Sequence, residues 1–107
     1  ISSAVNNFTV ELWVKPTSTH QIDVESNFST SGTSGQKYVI DPVWGGSNGD
    51  AGMGISVGTN GISVYEHADF YMPALLVWQG TVTGWTHIAV VYQNKTPKLY
   101  VNGVLVK

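Results

Sequence analysis

Residues 84–107 read Gly-Trp-Thr-His-Ile-Ala-Val-Val-Tyr-Gln-Asn-Lys-Thr-Pro-Lys-Leu-Tyr-Val-Asn-Gly-Val-Leu-Val-Lys. This stretch decides the fold. Trp85 to Tyr92 is rich in β-branched and aromatic residues, which suit a pleated, half-buried surface. Gln93 to Pro97 interrupts it with turn residues. Lys98–Val101 and Val104–Lys107 then flank Asn102-Gly103. An Asn-Gly pair accepts the positive φ of a type I′ turn, whose twist matches that of the strands it joins. The stretch therefore predicts three consecutive antiparallel strands.

Working outward, Val5 to Pro16 alternates, with Phe8, Val10, Leu12 and Val14 on one face and Thr9, Glu11, Trp13 and Lys15 on the other. Gln21–Ser29 is read as another alternating strand through Ile22, Val24 and Phe28. Thr30–Gly35 is a flexible loop by composition, and Gln36–Pro42 a short strand. Val43–Gly52 is the longest glycine-rich loop. Met53–Thr59 and Ile62–Ala68 form a hairpin about Asn60-Gly61, a second type I′ signal. Asp69–Ala74 is an aromatic-rich loop, and Leu75–Gln79 a strand. No segment has a helical period and no repeat stands out, so strands at close spacing predict an antiparallel β-sandwich of the jelly-roll type.

Composition agrees. The 107 residues fit one domain spanning 1–107, and 42% hydrophobic against 11% charged residues favours a packed core over disorder. Twelve glycines and few helix-forming residues fit an all-β chain. A net charge of −2, with lysines and no arginine, argues against nucleic acid. The absence of cysteine excludes a disulfide framework and a thiolate metal site. No run reaches membrane-spanning length, and the opening residues do not read as a signal peptide. Sequons at Asn7, Asn27 and Asn94 are what chance gives in a Ser/Thr-rich chain.

Two segments resemble a known family. Trp85-Thr86-His87-Ile88-Ala89-Val90-Val91-Tyr92, followed by Leu99-Tyr100-Val101-Asn102-Gly103-Val104-Leu105-Val106, resembles the late strands of a laminin G-like jelly roll in the concanavalin A-like lectin/glucanase superfamily. Phe8–Pro16 is similar to the early F-T-hydrophobic-E-x-W-hydrophobic-K-P strand of bacterial members. The resemblance implies that these are the central strands, with terminal strands absent at both ends. Exposed sheet edges would follow, open to self-association or to strands from another chain. It also implies that Trp13, Trp85 and Tyr100, on the motif strands, belong to the core. Trp78 is open to either face.

The resemblance further implies a non-catalytic recognition module of a larger secreted or cell-surface bacterial protein. Carbohydrate is the expected ligand, and a structural or adhesive protein–protein module is the alternative. Trp44, Phe70 and Tyr71, on loops, offer flat apolar faces for a pyranose, with His67 and Asp69 as polar neighbours. Each ring taken singly could equally cap the core. Many laminin G-like domains bind calcium, and Asp41, Asn48 and Asp50 supply oxygens on a glycine-rich loop. Asn-Gly-Asp is also ordinary turn chemistry.

A remnant of a glycoside hydrolase is the third reading. Glucanases of the superfamily carry an E-x-D-x-x-E strand that aims carboxylates into a cleft. Asp23-Val24-Glu25 is the nearest approach and lacks a third acid. Glu66 and Asp69 straddle a strand end. The sequence predicts no enzyme.

Overall fold

The computed structural model describes residues 4–44 and 50–107. Eight strands run in chain order: β1 (Phe8–Val14), β2 (Tyr38–Ile40), β3 (Gly52–Gly58), β4 (Gly61–His67), β5 (Ala74–Gln79), β6 (Thr86–Gln93), β7 (Thr96–Val101) and β8 (Val104–Leu105). They form two four-stranded antiparallel sheets, ordered β1-β6-β7-β8 and β2-β3-β4-β5. The sheets pack face to face as a jelly-roll β-sandwich, as the sequence predicts.

The interior is built by alternation. Phe8, Val10, Leu12 and Val14 of β1 meet Ile88, Val90 and Tyr92 of β6 and Leu99 of β7. The opposite sheet contributes Ile55, Val57, Ile62, Val64 and Leu76. Full burial of each such side chain is worth about 1.5–3 kcal/mol. Trp78 joins this side, packed against the cluster beside Leu76. Phe8 stacks on Tyr92 at 4.6 Å between ring centroids.

Turn chemistry separates expectation from outcome. Asn102 and Gly103 take φ of 49° and 80°, as a type I′ turn requires. The β6–β7 turn narrows to Asn94-Lys95, also at positive φ, and Pro97 lies within β7 opposite Tyr92. The β3–β4 turn falls one residue earlier than expected. Gly58 pairs with Gly61, so Thr59-Asn60 is the turn and Gly61 opens β4 opposite Gln79. The cause is tertiary: the Asn60 amide accepts from the His20 backbone N–H and donates to its carbonyl, both at 3.0 Å.

Gln21–Ser29 is not a strand. It belongs to an irregular segment laid across the outer face of β3–β4, with Val24 and Phe28 in solvent at 84% and 76% exposure. Beneath it β3 and β4 are buried on both faces: Ile55 and Val57 look inward, while Ser56, Ser63 and Tyr65 look outward yet are fully covered. Most buried polar groups in folded proteins are hydrogen-bonded. The Asp23 carboxylate accepts from the Tyr65 hydroxyl at 2.8 Å, the Gly32 N–H at 2.9 Å and the Gln36 side-chain amide at 3.1 Å. His20 Nδ1 lies 3.2 Å from Gln36 Oε1 and 2.9 Å from Ser56 Oγ, which also accepts from the Lys37 N–H. The Gln36 oxygen can only accept, so Nδ1 carries the proton and the buried Nε2 is left bare.

Trp13 and Trp85 depart from the core that the motif resemblance implies: they are 65% and 68% exposed. Trp13 points with Glu11 to the outer face of its sheet, where it meets His87 at 5.3 Å between ring centroids. His87 also approaches the Glu11 carboxylate at 3.5 Å. Tyr100 is half-buried on that same outer face, opposite Ala89. Leu99 holds the core position instead.

Two stability predictions follow from the outer polar layer. Asp23→Ala strips three donors of their acceptor, one of them on fully buried Tyr65, and is expected to lower unfolding free energy by about 2–3 kcal/mol in urea titration. Burial pushes the His20 pKa down from 6.5, against the smaller opposing pull of Gln36 and Asp23. The unfolded chain then binds a proton more readily than the folded one. The stability is fully present above pH 6.5 and falls with decreasing pH until the lowered folded value is passed, with a slope of up to about 1.4 kcal/mol per pH unit. His20→Asn should flatten that slope in unfolding curves recorded between pH 7.5 and 5.

Candidate functional site

β4 ends at His67, and the chain turns back at once. Ala68 and Tyr71 exchange backbone hydrogen bonds of 2.8 and 3.2 Å, leaving Asp69 and Phe70 at the tip. The returning strand is moored to the irregular segment. Met72 donates to the Ser29 carbonyl, Ser31 donates to the Met72 carbonyl, and the Tyr71 hydroxyl donates to the Asn27 carbonyl at 3.0 Å. Thr30 Oγ1 donates to the Phe70 carbonyl.

The turn is also tied to the loop after β2. His67 Nδ1 donates to the Pro42 carbonyl at 2.8 Å, which leaves Nε2 as an acceptor. That loop can lie so close only because of two glycines. A Cβ at Gly54 would come within 2.4 Å of the Pro42 ring, and one at Gly52 within 1.9 Å of the Val43 carbonyl oxygen. Gly52 pairs with His67 across the ladder, so the loop and the turn meet at one rim of the sandwich.

Four of the five candidate ligand residues meet there. Trp44, His67, Asp69 and Phe70 line an open depression of about 360 Å³, together with Ala68. Trp44 is half exposed, and Phe70 is 99% exposed with φ of 51°. Tyr71 is not part of the lining. Its hydroxyl is committed to Asn27, and its pKa is raised by burial first and by the nearby Glu66 carboxylate second. It supports the turn rather than facing the depression. The arrangement offers two flat apolar rings, one carboxylate and one imidazole acceptor, which is the equipment for holding a polar ring compound by stacking and hydrogen bonds.

The calcium candidates divide. Asp41 and Asp50 are exposed, and Asn48 lies outside the described residues. Among the described residues, no three His, Asp or Glu side chains gather closely enough to hold a metal ion.

The carboxylates weighed for catalysis have other tasks. Asp23 is the acceptor of the outer polar layer. Glu25 accepts from the Val77 N–H at 2.8 Å and pairs with Lys107 at 3.1 Å. Glu66 alternates to the inner side of β4, close to Tyr92, and burial raises its pKa. Only Asp69 reaches the depression.

The sequence reading missed a second concavity. A groove of about 560 Å³ opens between β1 and β2, with Trp13, Trp85, Lys15 and Lys37 on its walls and Val57 at its floor. Its signal was present in the β1 alternation, which sets Trp13 with Glu11 and Lys15 on the outer face.

Among the described residues, no helix is long and apolar enough to cross a membrane. A family model described as concanavalin A-like lectin/glucanases superfamily, of laminin G type, matches residues 2–107. No curated protein and no solved structure matches the chain. The superfamily often binds carbohydrate or protein, and laminin G-like domains usually occur in extracellular proteins. With its two antiparallel sheets and a match over nearly every residue, the chain belongs to the laminin G-like family of the concanavalin A-like lectin/glucanase superfamily.

Proposed function

We propose that this domain is a non-catalytic recognition module of a larger secreted or cell-surface bacterial protein, and that it binds carbohydrate in the depression between Trp44 and Phe70. Phe70 carries the reading. A fully solvated phenyl ring gains nothing from burial, and a bulky residue at positive φ is an uncommon backbone choice. Folding gives no reason for this ring at this place; a ligand does. Trp44 lines the same depression and offers a second apolar face, and Asp69 with His67 Nε2 supplies acceptors for sugar hydroxyls.

The family supports the class of function, since its members often bind carbohydrate or protein. A hydrolase reading finds less support. Hydrolysis of a glycosidic bond generally needs two carboxyl groups about 5–10 Å apart across a cleft. Among the described residues, the depression is lined by one carboxylate and the β1–β2 groove by none.

The test replaces the ring. Phe70→Gly removes the phenyl group and relieves the positive φ, so unfolding free energy should stay level or rise by up to about 1 kcal/mol. Binding to the best ligand from an oligosaccharide array should weaken roughly tenfold, equivalent to about 1.4 kcal/mol. Trp44→Ala should weaken the same ligand. Unchanged binding together with a loss of stability in Phe70→Gly would make the ring structural and sink the reading. Asp41 and Asp50 flank the loop that carries Trp44, so titrations in calcium and in EDTA separate a metal contribution from that of the rings.

A further inference from the structure

The turn that carries Phe70 is held from two sides. On one side His67 donates to the Pro42 carbonyl, in the loop that leads to Trp44. On the other, the Tyr71 hydroxyl donates to the Asn27 carbonyl and the Met72 N–H to the Ser29 carbonyl, both at 3.0 Å. Thr30 pairs with Met72 in a parallel bridge, and its hydroxyl reaches the Phe70 carbonyl. Residues 27–30 therefore run directly beside residues 70–72.

Phe28 stands in the middle of this segment, with its side chain largely in solvent. The backbone beneath it is nonetheless fixed. Ser26 Oγ accepts from the Phe28 N–H at 3.0 Å and donates to the Phe28 carbonyl, and Ser29 follows at a φ of 91°. One exposed apolar residue needs no explanation. Two phenyl rings on neighbouring, hydrogen-bonded segments do, when a residue of each segment holds an unfavourable positive φ. The polar groups around Phe28 narrow the ligand. Asn27, Ser29 and Thr30 are exposed and uncharged. Hydroxyls and amides suit a neutral, hydroxylated ligand, whereas a phosphate or a charged peptide calls for ionic partners.

We propose that Phe28 forms a further subsite of the rim, so that the carbohydrate bound there is a chain of several sugar units. The inference rests on the Trp44–Phe70 reading above and gives that site a length preference. One unit occupies the depression, and a later unit of the same chain stacks on Phe28, with Asn27 and Ser29 beside its hydroxyls. A disaccharide reaches the depression alone. A longer chain reaches both places, and its second contact forms at the high effective concentration of a tethered group. The clamped backbone keeps the ordering cost of that contact small.

The test titrates disaccharides and hexasaccharides of hexose, N-acetylhexosamine and uronate into the domain by calorimetry. In the class that binds, Phe28→Ser should weaken the hexasaccharide roughly tenfold and leave the disaccharide unchanged. Phe28→Tyr keeps a flat ring and should bind both lengths as the unsubstituted domain does. Phe70→Gly should weaken both lengths. The Phe28 ring is exposed, so Phe28→Ser should unfold in urea as the unsubstituted domain does, to within about 0.5 kcal/mol. Hexasaccharide affinity that survives Phe28→Ser, or an equal loss at both lengths, overturns this inference and leaves the Trp44–Phe70 reading standing. Binding of neither length in any class sinks both.

Discussion

A strand pair with no face to water is the constraint on which this molecule is built. β3 and β4 turn Ile55, Val57, Ile62 and Val64 toward the opposite sheet, and their other face is covered too. A second apolar core does not fill that outer face. It carries Ser56, Ser63 and Tyr65, small or polar groups over which a segment of irregular backbone can lie close. Such a cover needs acceptors and donors in place, because unpaired buried polar groups cost about 1–3 kcal/mol each. Asp23 accepts from the Tyr65 hydroxyl, the Gly32 N–H and the Gln36 amide, and His20 extends the layer to Ser56, while Ser63 Oγ has no hydrogen-bond partner among the described residues.

The same cover sets the rim. Its later residues, Asn27 to Ser31, hold Tyr71 and Met72, and through them the turn whose tip is Asp69-Phe70. From the other side, Gly52 and Gly54 let the loop after β2 lie against β3, where His67 bonds Pro42. Trp44 and Phe70 thus reach one depression from two loops, each anchored to the doubly buried hairpin. Rings presented on a braced scaffold lose little freedom when a ligand arrives, which favours affinity. Elsewhere, Glu25 and Lys107 stitch the two sheets together along one flank.

Much of this was legible in the chain. The alternation of Phe8 to Val14 places β1 and its inward face, and Asn102-Gly103 places the last hairpin. What escaped depended on distant contacts. Asn60-Gly61 looks like the turn, yet the Asn60 amide is used by His20, forty residues earlier, and the turn moves to Thr59-Asn60. Ile22, Val24 and Phe28 alternate like a strand, but Asp23 and Glu25 between them bind backbone and side-chain groups of other segments, so the local pattern lost to tertiary hydrogen bonds. For Trp13 the motif and the alternation disagreed, and the alternation was right. The gathering of Trp44 with His67, Asp69 and Phe70 could be nominated from loop aromatics. Its geometry rests on Pro42 meeting His67 across two glycines, which no short-range pattern encodes.

The proposed recognition site is the Trp44–Phe70 rim. The most direct measurement is a titration of the isotope-labelled domain with hexose, N-acetylhexosamine and uronate oligosaccharides, followed by backbone amide chemical shifts. Saturable shifts are expected, centred on residues 67–71 and the amides around Trp44, with the β1–β2 flank unmoved. Shifts centred on another surface, or none with any of the three sugar classes, would contradict it.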